Sequence, residues 1–199
     1  MLTFVPYREI EPTWPREGRA ILSSWDESTV VVYQAYRASI GRFAAEHGYF
    51  GGDFSLNRMS WVKPNFLWMM YRSGWGTKPD QEVILAVRLK RAAFDEILAA
   101  AVPSSWDRDR YVDRAAWQDA VAASDVRLQW DPDHAPSGAP LERRAIQLGL
   151  RGSFLARYAR EWIVGIEDIS PIVARERANI GTADLLVPAE RVYPSSAVG

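Results

Sequence analysis

Apolar positions along this chain change period several times, and each change marks an element. Val30-Val31-Val32-Tyr33-Gln34-Ala35-Tyr36 and Val83-Ile84-Leu85-Ala86-Val87-Arg88-Leu89 are β-branched or aromatic runs that predict strands. Between them, Ile40, Phe43 and Ala44 recur at helical spacing and stop near Gly48. Pro64 suits the first turn of a helix through Phe66, Leu67, Met69, Met70 and Tyr71, which Gly74 ends. That helix is apolar nearly all round, so burial is expected. Further on, the pattern predicts a helix over about Ala92 to Val102, another around Trp117 and Val121, and one through Phe154, Leu155 and Tyr158. Val126 to Trp130, Arg144 to Leu150 and Trp162 to Ile166 read as strands. The 131–143 stretch between two of them is a connection long enough to be functional or mobile. Asp131 and Asp133, flanking Pro132, read there as turn formers and His134 as a solvated loop histidine.

Strands and helices mix without a regular βαβ repeat, and one neighbouring strand pair suggests a hairpin. The expected fold is a single α+β domain with a largely antiparallel sheet packed by short helices. Its expected bounds are residues 21–177, after an extended lead-in over 1–20 and before a tail over 178–199 whose pattern weakens through Ser195 and Ser196 to Gly199.

Composition narrows the chemistry by exclusion. The 199 residues include no cysteine, so disulfide scaffolds, thiolate metal sites and cysteine nucleophiles are ruled out. His47 and His134 are too few for a histidine-rich metal cage, and nothing in the sequence calls for a metal. Phosphate-loop, dinucleotide, zinc-protease and nucleophile-elbow motifs are absent. No secretory signal or apolar stretch of about 18 residues is visible, so no membrane partner is expected and the default location is cytoplasmic. Formal net charge is −1, which leaves any anion recognition to a local cluster.

Such a cluster exists between Phe54 and Lys78. Arg58, Lys63, Arg72 and Lys78 lie there among three Trp, two Phe and three Met, with no acidic residue in 25 positions. Cations in an apolar stretch need partners, because an unpaired buried charge costs several kcal/mol. A bound phosphate or carboxylate would serve, with Trp61 stacking on a base. The competing reading is a core segment whose charged heads reach solvent. Of the 24 cationic residues 21 are Arg, and two of the three Lys fall in this segment. A Lys in that setting can lose its proton where Arg cannot, which makes Lys63 a candidate nucleophile or base. A second cluster lies on the Arg144 to Gly152 strand, where Gln147 and Arg151 share a face with Ala145 and Gly149, leaving room for a ligand. Gly152-Ser153 then opens a helix whose N–H groups form a ready anion site, and Arg151 has Glu161 or Glu167 as alternative partners.

Several segments together carry a family resemblance. They are Tyr33-Gln34-Ala35-Tyr36, Asn57-Arg58-Met59-Ser60-Trp61-Val62-Lys63-Pro64, Leu67 to Gly76, Gln129-Trp130-Asp131-Pro132 and Arg144 to Gly152. From about Ile21 to Val173 the chain resembles the family known as domain of unknown function 4291. That resemblance implies membership and little function; an ADP-ribosyltransferase-like or RNA-end-processing role is an analogy that a small α+β domain rich in Arg and Tyr invites. The residues themselves suggest an enzyme that transfers or joins a phosphate-bearing group on RNA or a nucleotide, with ATP or NAD as candidate substrates. In that reading Lys63, Arg58, Arg72 and Tyr71 are catalytic, while Tyr33, Gln34, Tyr36, Trp61, Lys78, Arg144, Gln147 and Arg151 bind substrate. The alternatives are a non-catalytic module for single-stranded nucleic acid and an enzyme acting on a small anionic metabolite.

Overall fold

The two apolar runs become β3 (Thr29–Tyr36) and β5 (Val83–Lys90), the paired centre of the molecule. Ahead of them lie β1 (Phe4–Pro6), α1 (Tyr7–Ile10) and β2 (Leu22–Ser23); between them lie α2 (Ala38–His47), β4 (Ser60–Val62) and α3 (Phe66–Ser73). After β5 come α4 (Arg91–Ala99), β6 (Val102–Pro103), α5 (Arg114–Ala123), β7 (Val126–His134) and β8 (Pro140–Leu150). The chain continues through α6 (Gly152–Arg160), β9 (Ile163–Asp168), α7 (Ser170–Ala178), β10 (Leu186–Pro188) and β11 (Arg191–Val192). This is a computed structural model that describes residues 2–195.

β3 pairs antiparallel with β5 along its whole length, and β9 pairs antiparallel with the other edge of β5. Both faces of this sheet are covered, which is why its strands read as continuous apolar runs and not as alternating ones. Val30, Val32, Val83, Leu85, Val87 and Leu89 face one core, closed by α2, α4 and α6. Val31, Tyr33, Ile84 and Ala86 face the other, closed by α3 and α7. A second sheet has the order β4-β8-β7-β6, antiparallel except for β6 beside β7. The two sheets adjoin at one residue pair, Tyr33 and Lys63, whose backbones exchange hydrogen bonds of 2.7 and 3.2 Å. The α+β reading with mainly antiparallel pairing is therefore correct.

Several expectations change. The 131–143 connection is largely strand: β7 and β8 run on to His134 and Pro140, leaving a turn over 135–139. Asp131 sits in the ladder opposite Ala145, so it does not form the turn. His134 is no solvated loop residue, being buried beside the Tyr71 ring with centroids 3.5 Å apart. Pro64 precedes α3, and Asn65 caps it by accepting the Trp68 N–H at 2.6 Å.

Within the described residues, the expected extended lead-in and the expected tail both carry paired strands. β1 pairs with β10, and β2 with β11. Trp14 donates its indole N–H to the Glu190 carbonyl at 2.9 Å, while the Glu190 carboxylate accepts the Phe66 N–H at 2.8 Å and so also caps α3. Burial pushes that carboxyl well up from its ordinary range. Tyr193 packs edge-on against Trp25 and Phe94. Such long-range pairing leaves no periodic trace in either terminal segment. Ser196 and Gly199, the last part of the expected tail, lie outside the described residues.

Candidate functional site

Side-chain alternation at the end of β4 sets up the site. Val62 enters the core, so Trp61 and Lys63 point to the opposite side, where a cavity of about 530 Å³ opens. The backbone of Lys63 is held by β3, and its side chain is 6 % exposed. α3 contributes Met69 and Arg72 to the same cavity, three positions apart on one helix face. The stretch after α2 supplies Phe54, Arg58 and Met59, with Phe54 anchored against Phe50 and Tyr36 at ring distances of 4.7 and 5.9 Å. β3 adds Gln34 and Tyr36.

Four cations thus line one cavity, and of these Arg37 is spent on the protein itself. Among the described residues the side chains of Arg58, Lys63 and Arg72 have no hydrogen-bond or ion-pair partner. Burial and the neighbouring Arg72 guanidinium bring the Lys63 ammonium down to about 8, against a smaller upward pull from Asp131. Asp131 is itself pinned, accepting from Gln129 at 2.8 Å and from Gln147 at 2.7 Å. The carboxylates that line the cavity are Asp53, paired at 3.2 Å with exposed Arg37, and Asp80.

A hydroxyl-and-amide network lies alongside these charges. The Gln34 amide donates to the Tyr36 hydroxyl at 2.8 Å and to Ser60 at 2.9 Å, while its oxygen accepts from Tyr158 at 2.6 Å. Tyr36 and Ser60 share one further hydrogen bond of 2.7 Å. Whichever of them donates it, the other retains an O–H hydrogen that finds no acceptor among the described residues. Burial raises the Tyr36 phenol, so it stays a neutral donor at ordinary pH.

The family model described as Domain of unknown function (DUF4291) matches residues 20–193, which include every one of these side chains. The chain belongs to the DUF4291 family. The match runs past Val173 to the end of the packed body, taking in β10 and β11. No curated protein matches the chain.

Within the DUF4291 domain, the residues singled out by sequence divide into two groups. The cavity gathers Lys63, Arg58, Arg72, Gln34, Tyr36 and Trp61. The remaining six have other environments. Tyr33 is fully buried in the second core, against Phe66. Tyr71 turns from the cavity to stack on His134 and Trp68. Lys78 donates to the Arg72 and Tyr71 carbonyls at 2.7 and 3.4 Å, capping the C-terminus of α3. Arg144 is exposed in the middle of β8, with its backbone tied to Gly18 and Ala20. Gln147 is committed to Asp131. The room foreseen beside Gly149 is filled: a Cβ there would lie 2.6 Å from the Met59 sulfur.

Arg151 stands apart from the cavity as well. It donates to the Ala122 and Ser124 carbonyls at the end of α5, at 3.1 and 3.0 Å, and pairs with Asp125 at 3.6 Å, leaving Glu161 and Glu167 aside. Asp125 also occupies the N-terminus of α6, accepting from the Ser153 N–H at 2.9 Å and its hydroxyl at 3.0 Å. The anion site expected at Gly152-Ser153 is therefore filled by an internal carboxylate. Gly152 is needed there, with φ of +51° and no space for a Cβ beside the Asp125 carboxylate.

Sequence reading missed Ser60, whose hydroxyl gains meaning only beside Tyr36, and it placed Asp131 in a turn. Asn57 to Pro64 as a block was the available signal for Ser60, which lines the cavity next to Trp61.

Proposed function

We propose that the cavity is an active site for a phosphate-bearing substrate, a nucleotide or an RNA end, on which a group is transferred or joined. The observation that carries this reading is the convergence of Arg58, Lys63 and Arg72 on one cavity with none of them held in an ion pair among the described residues. Guanidinium groups bind phosphate through paired N–H donors, and a partly enclosed site strengthens that attraction. Trp61 and Phe54 supply aromatic walls for a base, the spare Tyr36 or Ser60 hydrogen suits a sugar or carbonyl oxygen, and Lys63 supplies an amine able to act as base or nucleophile. A non-catalytic single-strand binder would present an open stacking platform, whereas here these aromatics are half-buried.

Calorimetric titration with ADP, ATP, NAD and a short 5′-phosphorylated RNA tests the reading. The expected result is binding to at least one of them, weakened about tenfold or more by Arg58→Ala and by Arg72→Ala, a loss of the size of one charge-assisted contact. Binding that is indifferent to both substitutions would overturn it. Salt-sensitive RNA binding unaffected by either would select the single-strand module instead.

A further inference from the structure

We infer that Lys63 is the nucleophile of the cavity and that it captures the carbonyl carbon of a phosphorylated aldehyde, the open-chain form of a sugar phosphate, as an imine. The inference rests on the reading that the cavity holds a phosphate-bearing molecule, and it names the group that reacts there.

Three features of the structure meet at this one side chain. Lys63 is nine-tenths buried, faces the cavity and has no acceptor for its ammonium hydrogens among the described residues. An amine kept for structure would be tied to a carbonyl or carboxylate, as Lys78 is at the end of α3. Arg58 and Arg72 line the same cavity, with Arg72 close enough to act on the ammonium, so a phosphate held by them delivers the rest of its molecule to the amine. In the lining of the same cavity, the Tyr36 and Ser60 pair keeps one hydroxyl hydrogen to polarise a carbonyl oxygen. A desolvated lysine beside another cation is the setting in which an amine is free to attack at ordinary pH.

The chemistry balances without any redox partner. The Lys63 nitrogen lone pair adds to the carbonyl carbon while the carbonyl oxygen takes up a proton, giving a carbinolamine. The hydroxyl then takes up a proton from solvent and departs as water while the nitrogen lone pair forms the C=N bond, leaving one proton on the nitrogen of a cationic imine. Asp131, held by Gln129 and Gln147 near the amine, is placed to favour the cationic imine through its charge.

The chain makes the test unusually clean, because Lys63, Lys78 and Lys90 are its lysines and the last two are exposed. Pyridoxal 5′-phosphate followed by borohydride reduction, with peptide mapping, reads which of them forms an imine. Expected is labelling of Lys63 at least tenfold faster than of Lys78 or Lys90. Ribose 5-phosphate should be trapped on the same residue, and unphosphorylated ribose at least tenfold less. Arg72→Ala should cut labelling of Lys63 fivefold or more and leave Lys90 unchanged, which separates phosphate delivery from general reactivity. Labelling of Lys78 or Lys90 as fast as Lys63, or labelling of Lys63 indifferent to the phosphate and to Arg72, would overturn the inference. The titrations above fail independently: nucleotide binding without labelling of Lys63 ends the imine and leaves the nucleotide reading, and labelling without nucleotide binding does the reverse.

Discussion

Two places in this domain gather cations or N–H groups, and the protein has filled only one of them with a carboxylate of its own. At the start of α6, free N–H groups, the Ser153 hydroxyl and the Arg151 guanidinium converge on Asp125, so the positive potential there is cancelled from within. In the cavity, Arg58, Lys63 and Arg72 converge on space. The contrast teaches that a cluster of cations carries functional meaning only after its internal partners have been subtracted. Arg151 and Lys78 are consumed by helix C-termini, where exposed carbonyls favour cations. Arg58, Lys63 and Arg72 remain after that subtraction, the buried Lys63 at a cost in stability that a structural role would not explain.

That cost can be measured, and Lys63→Met should show the largest effect. The folded state depresses the Lys63 ammonium to about 8 from 10.5, so it binds fewer protons than the unfolded chain between those values. Stability contributed by this group therefore rises as pH climbs from about 8 to 10.5, and below 8 the buried charge costs on the order of 3 kcal/mol. Methionine keeps the volume and removes the charge. Denaturant unfolding should find Lys63→Met more stable than the parent at pH 7, with the difference shrinking toward pH 10; a destabilised variant at pH 7 would mean that the ammonium has a stabilising partner.

Asp125→Ala probes the filled site and comes next. It strips the cap from Ser153 and the counter-ion from Arg151, and should lower stability by about 1 to 2 kcal/mol. Nucleotide affinity at the cavity should not move, and a loss there would show that the two places are coupled. The smallest change in stability is expected from Arg58→Ala and Arg72→Ala, whose exposed guanidinium groups hold no partner: within about 0.5 kcal/mol of the parent. A melting temperature lowered by several degrees in either would assign that arginine to the fold.

Much of this contrast was readable along the chain, and the unread part has a common cause. β3, β5 and α3 follow from local apolar runs and from Gly74, because burial on both faces writes itself directly into consecutive residues. The acid-free segment from Phe54 to Lys78 located three of the cavity cations by the same local logic. Arg151 could not be sorted this way, since its acceptors are carbonyls of α5, nearly thirty residues earlier, and carbonyls leave no mark in a sequence. The termini were opaque for a related reason: β1 with β10 and β2 with β11 are stabilised by pairing across nearly the whole chain. Where a property depends on one segment it was legible, and where it depends on a partner remote in sequence it was not.

The most direct measurement is a crystal structure of the protein soaked with ADP. The account predicts diphosphate density between Arg58, Lys63 and Arg72, with the base against Trp61 or Phe54 and the α6 N-terminus still held by Asp125. Diphosphate bound at Arg151 and Ser153 with Asp125 displaced, or a cavity left empty at a concentration that saturates binding in solution, would contradict it.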